Sequence, residues 1–235
     1  MPGKKIDIVV PVHNEESNLI SLITKILRII KVNKIFKFRL IIIDDGSTDE
    51  GQEIIRRFIK KNKIINLIIN KRKKGQTECY KKYLLKFRSD YFIRIDGDNQ
   101  DNPKYISKIL SFVQKNFDII MARRTLRKHS IMMTCLTFLY DSLIFLLIRK
   151  KMKTYSSSLV CFKTSFIKYK NLSFNDHRYL PLIAIDNGAK NIKIFDTIHQ
   201  KRKYGVSKYK ISEKIITAFP EFLFFFLRLK LGFFK

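Results

Sequence analysis

Five short hydrophobic runs alternate with amphipathic stretches, and three of the runs break abruptly into acid-rich loops. Ile6 to Val10 leads into "PVHNEE", Phe38 to Ile43 into "DDGSTD", and Tyr91 to Ile95 into "DGDNQD". Ile64 to Ile69 and Phe117 to Met121 are the other two runs. Between the runs, apolar residues recur at helical spacing. From Glu16 to about Lys31 they fall at Leu19, Ile20, Leu22, Ile23, Ile26, Leu27 and Ile30. Further helices are expected from Ser47 or Thr48 as a cap to about Lys61, over Gln76 to Phe87, and from Pro103 in a first turn to about Lys115. Strands alternating with helices of this length predict βαβ units, an α/β fold and a mostly parallel sheet flanked by helices. Such sheets bind ligands outside the carboxyl ends of their strands. The three acidic loops therefore converge on one edge.

The residue types in those loops define a chemistry. Asp96 and Asp98 stand one residue apart at the mouth of a buried run, where like charges repel unless a cation lies between them. With Gln100 they offer the hard oxygen donors that suit Mg²⁺ or Mn²⁺. Gly97 allows a close backbone approach. Asp45 and Glu15 suit hydrogen bonds to a ribose or base; otherwise Ser47 and Asp49 cap the next helix and Glu15 is a first-turn acid. Basic residues supply the counterpart. Arg123, Arg124 and Arg127 follow the fifth run, and Arg202, Lys208 and Lys210 surround Gly205 and Ser207. Fixed guanidinium groups beside a divalent ion would take a diphosphate and a second phosphate.

Charge extends this theme. The chain has 48 Lys and Arg against 20 Asp and Glu, a formal net charge of +28, which points to an anionic partner or to a lysine-biased composition. Basic charge alone would also fit a non-catalytic nucleic-acid-binding protein, but no nucleic-acid motif appears, so no nucleic-acid partner is expected. Cys79, Cys135 and Cys161 have neither metal nor disulfide spacing, which fits a reducing cytoplasmic compartment, and the first residues do not read as a leader. Two apolar stretches, 131–148 and 215–231, contain charges and have basic flanks. They read as interfacial or core helices on an anionic membrane surface, rather than spans. Strands at Ser156–Phe162 and Ile192–Phe195 and a helix at Asp176–Asn187 complete the expected elements. The expected organisation is a catalytic domain over 1–210, divided into a ligand-binding half (1–122) and an acceptor half (123–210), followed by a C-terminal amphipathic tail (211–235).

"IDIVVPVHNEESNL", "IIIDDGSTDEG" and "RIDGDNQDNP" resemble family 2 glycosyltransferases of the GT-A fold, a Rossmann-like nucleotide-diphospho-sugar transferase architecture. The similarity is greatest to the dolichol-phosphate mannose synthase and polyprenyl-phosphate glycosyltransferase branch. There the third motif commonly reads Asp-Ala-Asp-Leu-Gln-Asp-Pro-Pro; Asp96, Asp98, Gln100, Asp101 and Pro103 keep it, and Gly97, Asn99 and Asn102 depart. "KKGQTECYKKYL", "DHRYLPLIAIDNGAKNIKI" and "HQKRKYGVSKYK" also look like stretches of that branch, and the resemblance spans residues 4–215. It implies nucleoside contacts from Pro11, His13, Glu15, Ile43 and Asp45, and diphosphate contacts from Asp96, Gly97, Asp98 and Lys208. It implies metal ligands at Asp96, Asp98 and Gln100, and acceptor-phosphate contacts from Arg124, Arg127, Arg202, Ser207 and Lys208. Asp96, Asp98, Arg124 and Arg202 are the expected catalytic residues. His13 stands where the branch often has Tyr.

One departure is clear. The branch usually has Asp-x-x-Ser-Gly-Phe-Arg before its next strand, and here Thr154, Ser157, Ser158 and Val160 occupy the corresponding run. The resemblance implies a metal-dependent, inverting transfer from a UDP- or GDP-sugar to a polyprenyl phosphate, by a peripheral enzyme on the cytoplasmic face of a membrane; the sequence also allows an oligomer. A hydroxyl acceptor on a glycan or lipid is the alternative. It would need a general base, for which the middle section offers Asp141 and Asp176.

Overall fold

A computed structural model describes residues 3–125, 142, 158–167, 171–173, 175–198 and 211–234, with the side chains of 124–125 and 211–219 excepted. The strands are β1 (Lys5–Val12), β2 (Lys37–Asp44), β3 (Ile65–Ile69), β4 (Tyr91–Arg94), β5 (Ile119–Thr125), β6 (Val160–Lys163) and β7 (Ile192–Ile198). The helices are α1 (Glu16–Val32), α2 (Gly51–Lys61), α3 (Gln76–Lys86), α4 (Tyr105–Gln114), α5 (Leu180–Asp186) and α6 (Ile211–Lys230). Two 3₁₀ turns, Thr164–Phe166 and Asp176–Tyr179, precede α5. The seven strands form one sheet in the order β3-β2-β1-β4-β6-β5-β7.

The parallel strands are covered on both faces, as helical crossovers between them require. On one face Ile6, Ile8 and Val10 of β1 pack with Leu19, Leu22 and Ile23 of α1, Ile55 of α2 and Ile109 of α4. On the other, Val9, Ile41 and Phe92 pack with Tyr80 and Tyr83 of α3, Ile183 of α5 and Phe222 of α6. Asp7 is the exception inside β1. It is fully buried, and Arg39 on β2 donates to both its oxygens at 2.8 Å while Tyr83 Oη donates at 2.9 Å. The partners offset the desolvation of a buried carboxylate.

Three expectations change. The strand expected over Ser156–Phe162 is formed at Val160–Lys163 and runs antiparallel to both β4 and β5, so the sheet is mixed at that strand. α2 begins at Gly51, and its N-cap residue, Glu50, makes no side-chain capping bond. Ser47 Oγ instead accepts from Asn14 N–H at 3.0 Å, and Asp49 divides its oxygens between Glu16 N–H (2.9 Å) and Gly51 N–H (3.1 Å). Glu16 Oε2 returns the contact to Glu50 N–H at 2.9 Å. The caps are thus shared between the α1 and α2 starts, because both helices leave the same sheet edge with unpaired N–H groups. The helix expected over Asp176–Asn187 starts as a 3₁₀ turn and becomes α-helical at Leu180.

α6 is not a detached tail at its C-terminal half. Phe222, Phe225 and Leu229 are buried in the second core, and Tyr179 stacks on Phe225 with ring centroids 4.3 Å apart. Among the described residues no helix is long and apolar enough to cross a membrane. The 131–148 stretch lies outside the described residues, Ser142 excepted.

Candidate nucleotide-sugar site

The ends of β1, β2 and β4 meet as the alternation of runs predicted. β1 pairs in parallel with β2 and with β4, which sets Pro11 beside Ile43 and Val12 beside Asp44. Asp45 N–H donates to Val12 O at 2.8 Å, and Ile95 N–H to Val9 O at 3.2 Å. Gly97 closes on the same corner: a β-carbon there would lie 2.8 Å from Val12 Cγ1 and 3.2 Å from Pro11 O. Its smallness is needed for packing against β1, apart from any ligand.

Asp45 is 5% exposed, and its carboxylate organises the neighbouring loop. Oδ1 accepts from Asn70 Nδ2 (2.8 Å) and Lys74 N–H (2.9 Å), and Oδ2 accepts from Gly75 N–H (2.7 Å). Burial alone would raise this carboxyl, but those hydrogen bonds and the nearby His13 outweigh it and hold it below the usual carboxylate range. Gly46 has φ +69°, and a β-carbon there would meet the Arg72 backbone at 2.6 Å, so the loop after β3 lies directly over the β2 end. Glu15 is the residue before α1; its carboxylate makes no capping bond to a helix N–H and accepts from Asn18 Nδ2 at 2.7 Å.

The Asp96–Gln100 loop is half-buried. Asp96 Oδ1 accepts from Gln76 Nε2 at 3.4 Å, and Asp98 Oδ1 accepts from Gln100 N–H at 3.1 Å. Asn99 takes a left-handed conformation, φ 60°. Among the described residues no three His, Cys, Asp or Glu side chains form a metal cluster. Two carboxylates and an amide nonetheless fit Mg²⁺ or Mn²⁺, which complete their shells with water and substrate phosphates.

Below this loop lies a polar network that sequence reasoning did not assign. Arg94, 4% exposed on β4, donates from Nε to Ser158 O at 3.2 Å and from Nη1 to His177 O. Its guanidinium sits 5.8 Å from the Tyr80 ring centroid. Thr77 Oγ1 and His177 Nδ1 share a 2.8 Å hydrogen bond, and Ser158 Oγ donates to Asp101. The signal was an arginine inside the apolar run "YFIRI". These contacts, with that of Gln76 to Asp96, tie the "GQT" and "DHRY" stretches to one another and to the end of β4.

The basic residues are less fully placed. Arg123 pairs with Asp196 of β7 at 2.5 Å, which leaves it a surface ion-pair member. Arg124 is on β5 opposite Thr197. Its side chain, and Arg127, Arg202, Ser207 and Lys208, lie outside the described residues, as does most of the 154–160 departure before Ser158.

Comparison with known proteins gives the family and the fold. The family model for glycosyl transferase family 2 matches residues 7–178. An undecaprenyl-phosphate 4-deoxy-4-formamido-L-arabinose transferase of Photorhabdus laumondii is 26% identical over 214 residues, covering 90% of this chain and 65% of the relative. A dodecaprenyl-phosphate galacturonate synthase of Rhizobium johnstonii is 27% identical over 227 residues, covering 94% and 67%. The chain thus spans about two-thirds of the length of such relatives. Among solved structures, glucosyl-3-phosphoglycerate synthase of Mycobacterium tuberculosis, in complex with Mn²⁺, UDP and glucosyl-3-phosphoglycerate, superposes with a TM-score of 0.71 at 16% identity. That match covers 98% of this chain and 81% of the neighbour, and supports the GT-A fold.

Proposed function

Because the chain belongs to glycosyl transferase family 2, we propose that it moves a sugar from a UDP- or GDP-sugar to a polyprenyl phosphate, with inversion at the anomeric carbon. The observation that carries this reading is the convergence of the β1, β2 and β4 ends, with Asp96 beside Gln76 and Asp98 in the same loop. The names of the two relatives supply the acceptor class.

In this reading Pro11, His13, Glu15, Ile43 and Asp45 form the nucleoside side of the site. Asp96, Asp98 and Gln100 would hold Mg²⁺ or Mn²⁺, which supplies charge neutralisation for the departing diphosphate. Gly97 and Lys208 complete the diphosphate contacts. Asp45 fixes the 70–75 loop and so sets where Gln76 meets Asp96. Arg124, Arg127, Arg202, Ser207 and Lys208 would receive the acceptor phosphate. A phosphate monoester has its second pKa near about 6, so it is already a nucleophile and needs no general base. Alignment with the anomeric carbon is the main requirement.

A hydroxyl acceptor would need such a base. Asp176 is 2% exposed, and it accepts from Arg228 Nη1 at 2.8 Å and Ser173 N–H at 2.7 Å. A carboxylate committed to an arginine in the core is poorly placed to take a substrate proton, which counts against this one of the two candidate bases; the other, Asp141, lies outside the described residues.

The acceptor is lipidic, and α6 supplies a surface for its membrane. Leu223, Phe224, Leu227 and Leu231 are 46%, 46%, 52% and 74% exposed and follow one helical face, opposite buried Phe222, Phe225 and Leu229. With a net charge of +28, this face suits an anionic bilayer at the cytoplasmic side. Incubating the protein with a panel of UDP- and GDP-sugars, Mn²⁺ or Mg²⁺, and either a polyprenyl phosphate or hydroxyl acceptors tests the reading. Sugar should enter the lipid phosphate; transfer only to hydroxyls would replace it with the alternative.

A further inference from the structure

Arg94 stands in a place that the sheet register makes informative. It is paired with Val9 of β1 on one side and with Val160 of β6 on the other. Residues opposed across a strand pair project from the same face, so side chains at 94 and 160 share one site. The residue facing Arg94 on β6, Val160, is fully buried.

The contacts of Arg94 define what it does there. The planar fork reaches two backbone carbonyls, Ser158 O before β6 and His177 O before α5. It lies against Tyr80 of α3 and two residues from Asp96. Segments separated by 64 and 83 residues from Arg94 are thus held at the end of β4. Ser158 continues the link by donating to Asp101 in the acidic loop. A lysine would keep the charge but present no rigid fork to both carbonyls.

We infer that Arg94 is a positioning residue that holds the Ser158 and His177 segments in register with the Asp96–Asp98 corner. This rests on the proposed transfer reaction for its kinetic consequence but not for its structural one. The segment that Arg94 grips also carries Asp176 and Arg178, which bond Arg228 and Glu221 of α6 at 2.8 and 2.7 Å. The clamp therefore connects the docking helix to the metal corner through a continuous set of contacts.

The experiment compares wild type, Arg94→Met, Arg94→Lys and the exchange Arg94→Val/Val160→Arg. Three readouts are taken: kcat and KM for transfer, Mn²⁺-dependent nucleoside diphosphate binding, and amide hydrogen exchange over residues 175–185 in the ligand-free protein. Arg94→Met should lower kcat about tenfold or more with donor binding changed less than about threefold. It should speed exchange over 175–185 by about tenfold. Arg94→Lys should fall between, and the exchanged pair should restore both kcat and protection to within about threefold. Arg94→Met with unchanged kcat and exchange overturns the inference. So does an exchanged pair that folds but stays as impaired as Arg94→Met. If the wild type transfers no sugar, the transfer reading fails, while the exchange measurement still decides the clamp.

Discussion

Thr77 Oγ1 and His177 Nδ1 lie 2.8 Å apart across 100 residues of chain. The contact joins the first turn of α3, beside the acidic corner, to the segment that supports α5 and α6. Burial first, then the neighbouring Arg94 and Arg178, pushes the His177 imidazole well below its ordinary value, so it stays neutral in the fold.

That sets a pH dependence. The unfolded imidazole takes a proton near pH ~6.5, whereas the folded one resists it. The stability His177 contributes is complete above about pH 6.5 and is lost as pH falls towards the lower folded value. Melting temperatures from about pH 8 to about pH 5 should fall for the wild type, and more shallowly for His177→Gln. Parallel curves would show that this histidine does not titrate with unfolding.

Gly97 yields a packing prediction. Alanine there would bring Cβ to 2.8 Å from Val12 Cγ1, so β1 and the acidic loop must separate. Gly97→Ala should cost about 1–3 kcal/mol in denaturant unfolding and weaken Mn²⁺ binding. An unchanged midpoint would mean the corner is looser than its geometry.

The exposed face of α6 predicts a separable membrane function. Leu223→Ser/Leu227→Ser/Leu231→Ser should reduce partitioning onto anionic vesicles about tenfold or more. The melting temperature should hold, because these side chains are 46%, 52% and 74% exposed. Equal partitioning by the variant, or a wild type whose apolar face is covered by a second copy in solution, would refute the bilayer assignment.

Much of the fold could be read directly from the chain because each parallel strand is short, apolar and followed by a helix. Ile6–Val10 and Tyr91–Ile95 located β1 and β4, and the three acidic loops shared an edge as expected. β6 kept its approximate place within a mostly parallel sheet, but its antiparallel direction was not legible, since four residues, "VCFK", carry no orientation signal and pairing with Tyr91–Arg94 is a long-range choice. Of the capping residues expected for α2, Asp49 does meet Gly51 N–H, but it also serves Glu16 N–H, and Ser47 serves Asn14 N–H instead, a competition invisible along the chain. Arg94 was missed for a related reason. A cation inside a strand has meaning only once Ser158, His177 and Tyr80 surround it.

The central claim is that Asp96 and Asp98 form the cation-binding corner of a sugar-transfer site. It is tested by following labelled sugar from the productive nucleotide donor into polyprenyl phosphate, with Mn²⁺ present or chelated, for wild type and Asp98→Ala. Chelation should abolish transfer by the wild type, and a folded Asp98→Ala should lose about a hundredfold or more in rate. Undiminished transfer with the cation removed, or by Asp98→Ala, would contradict the claim.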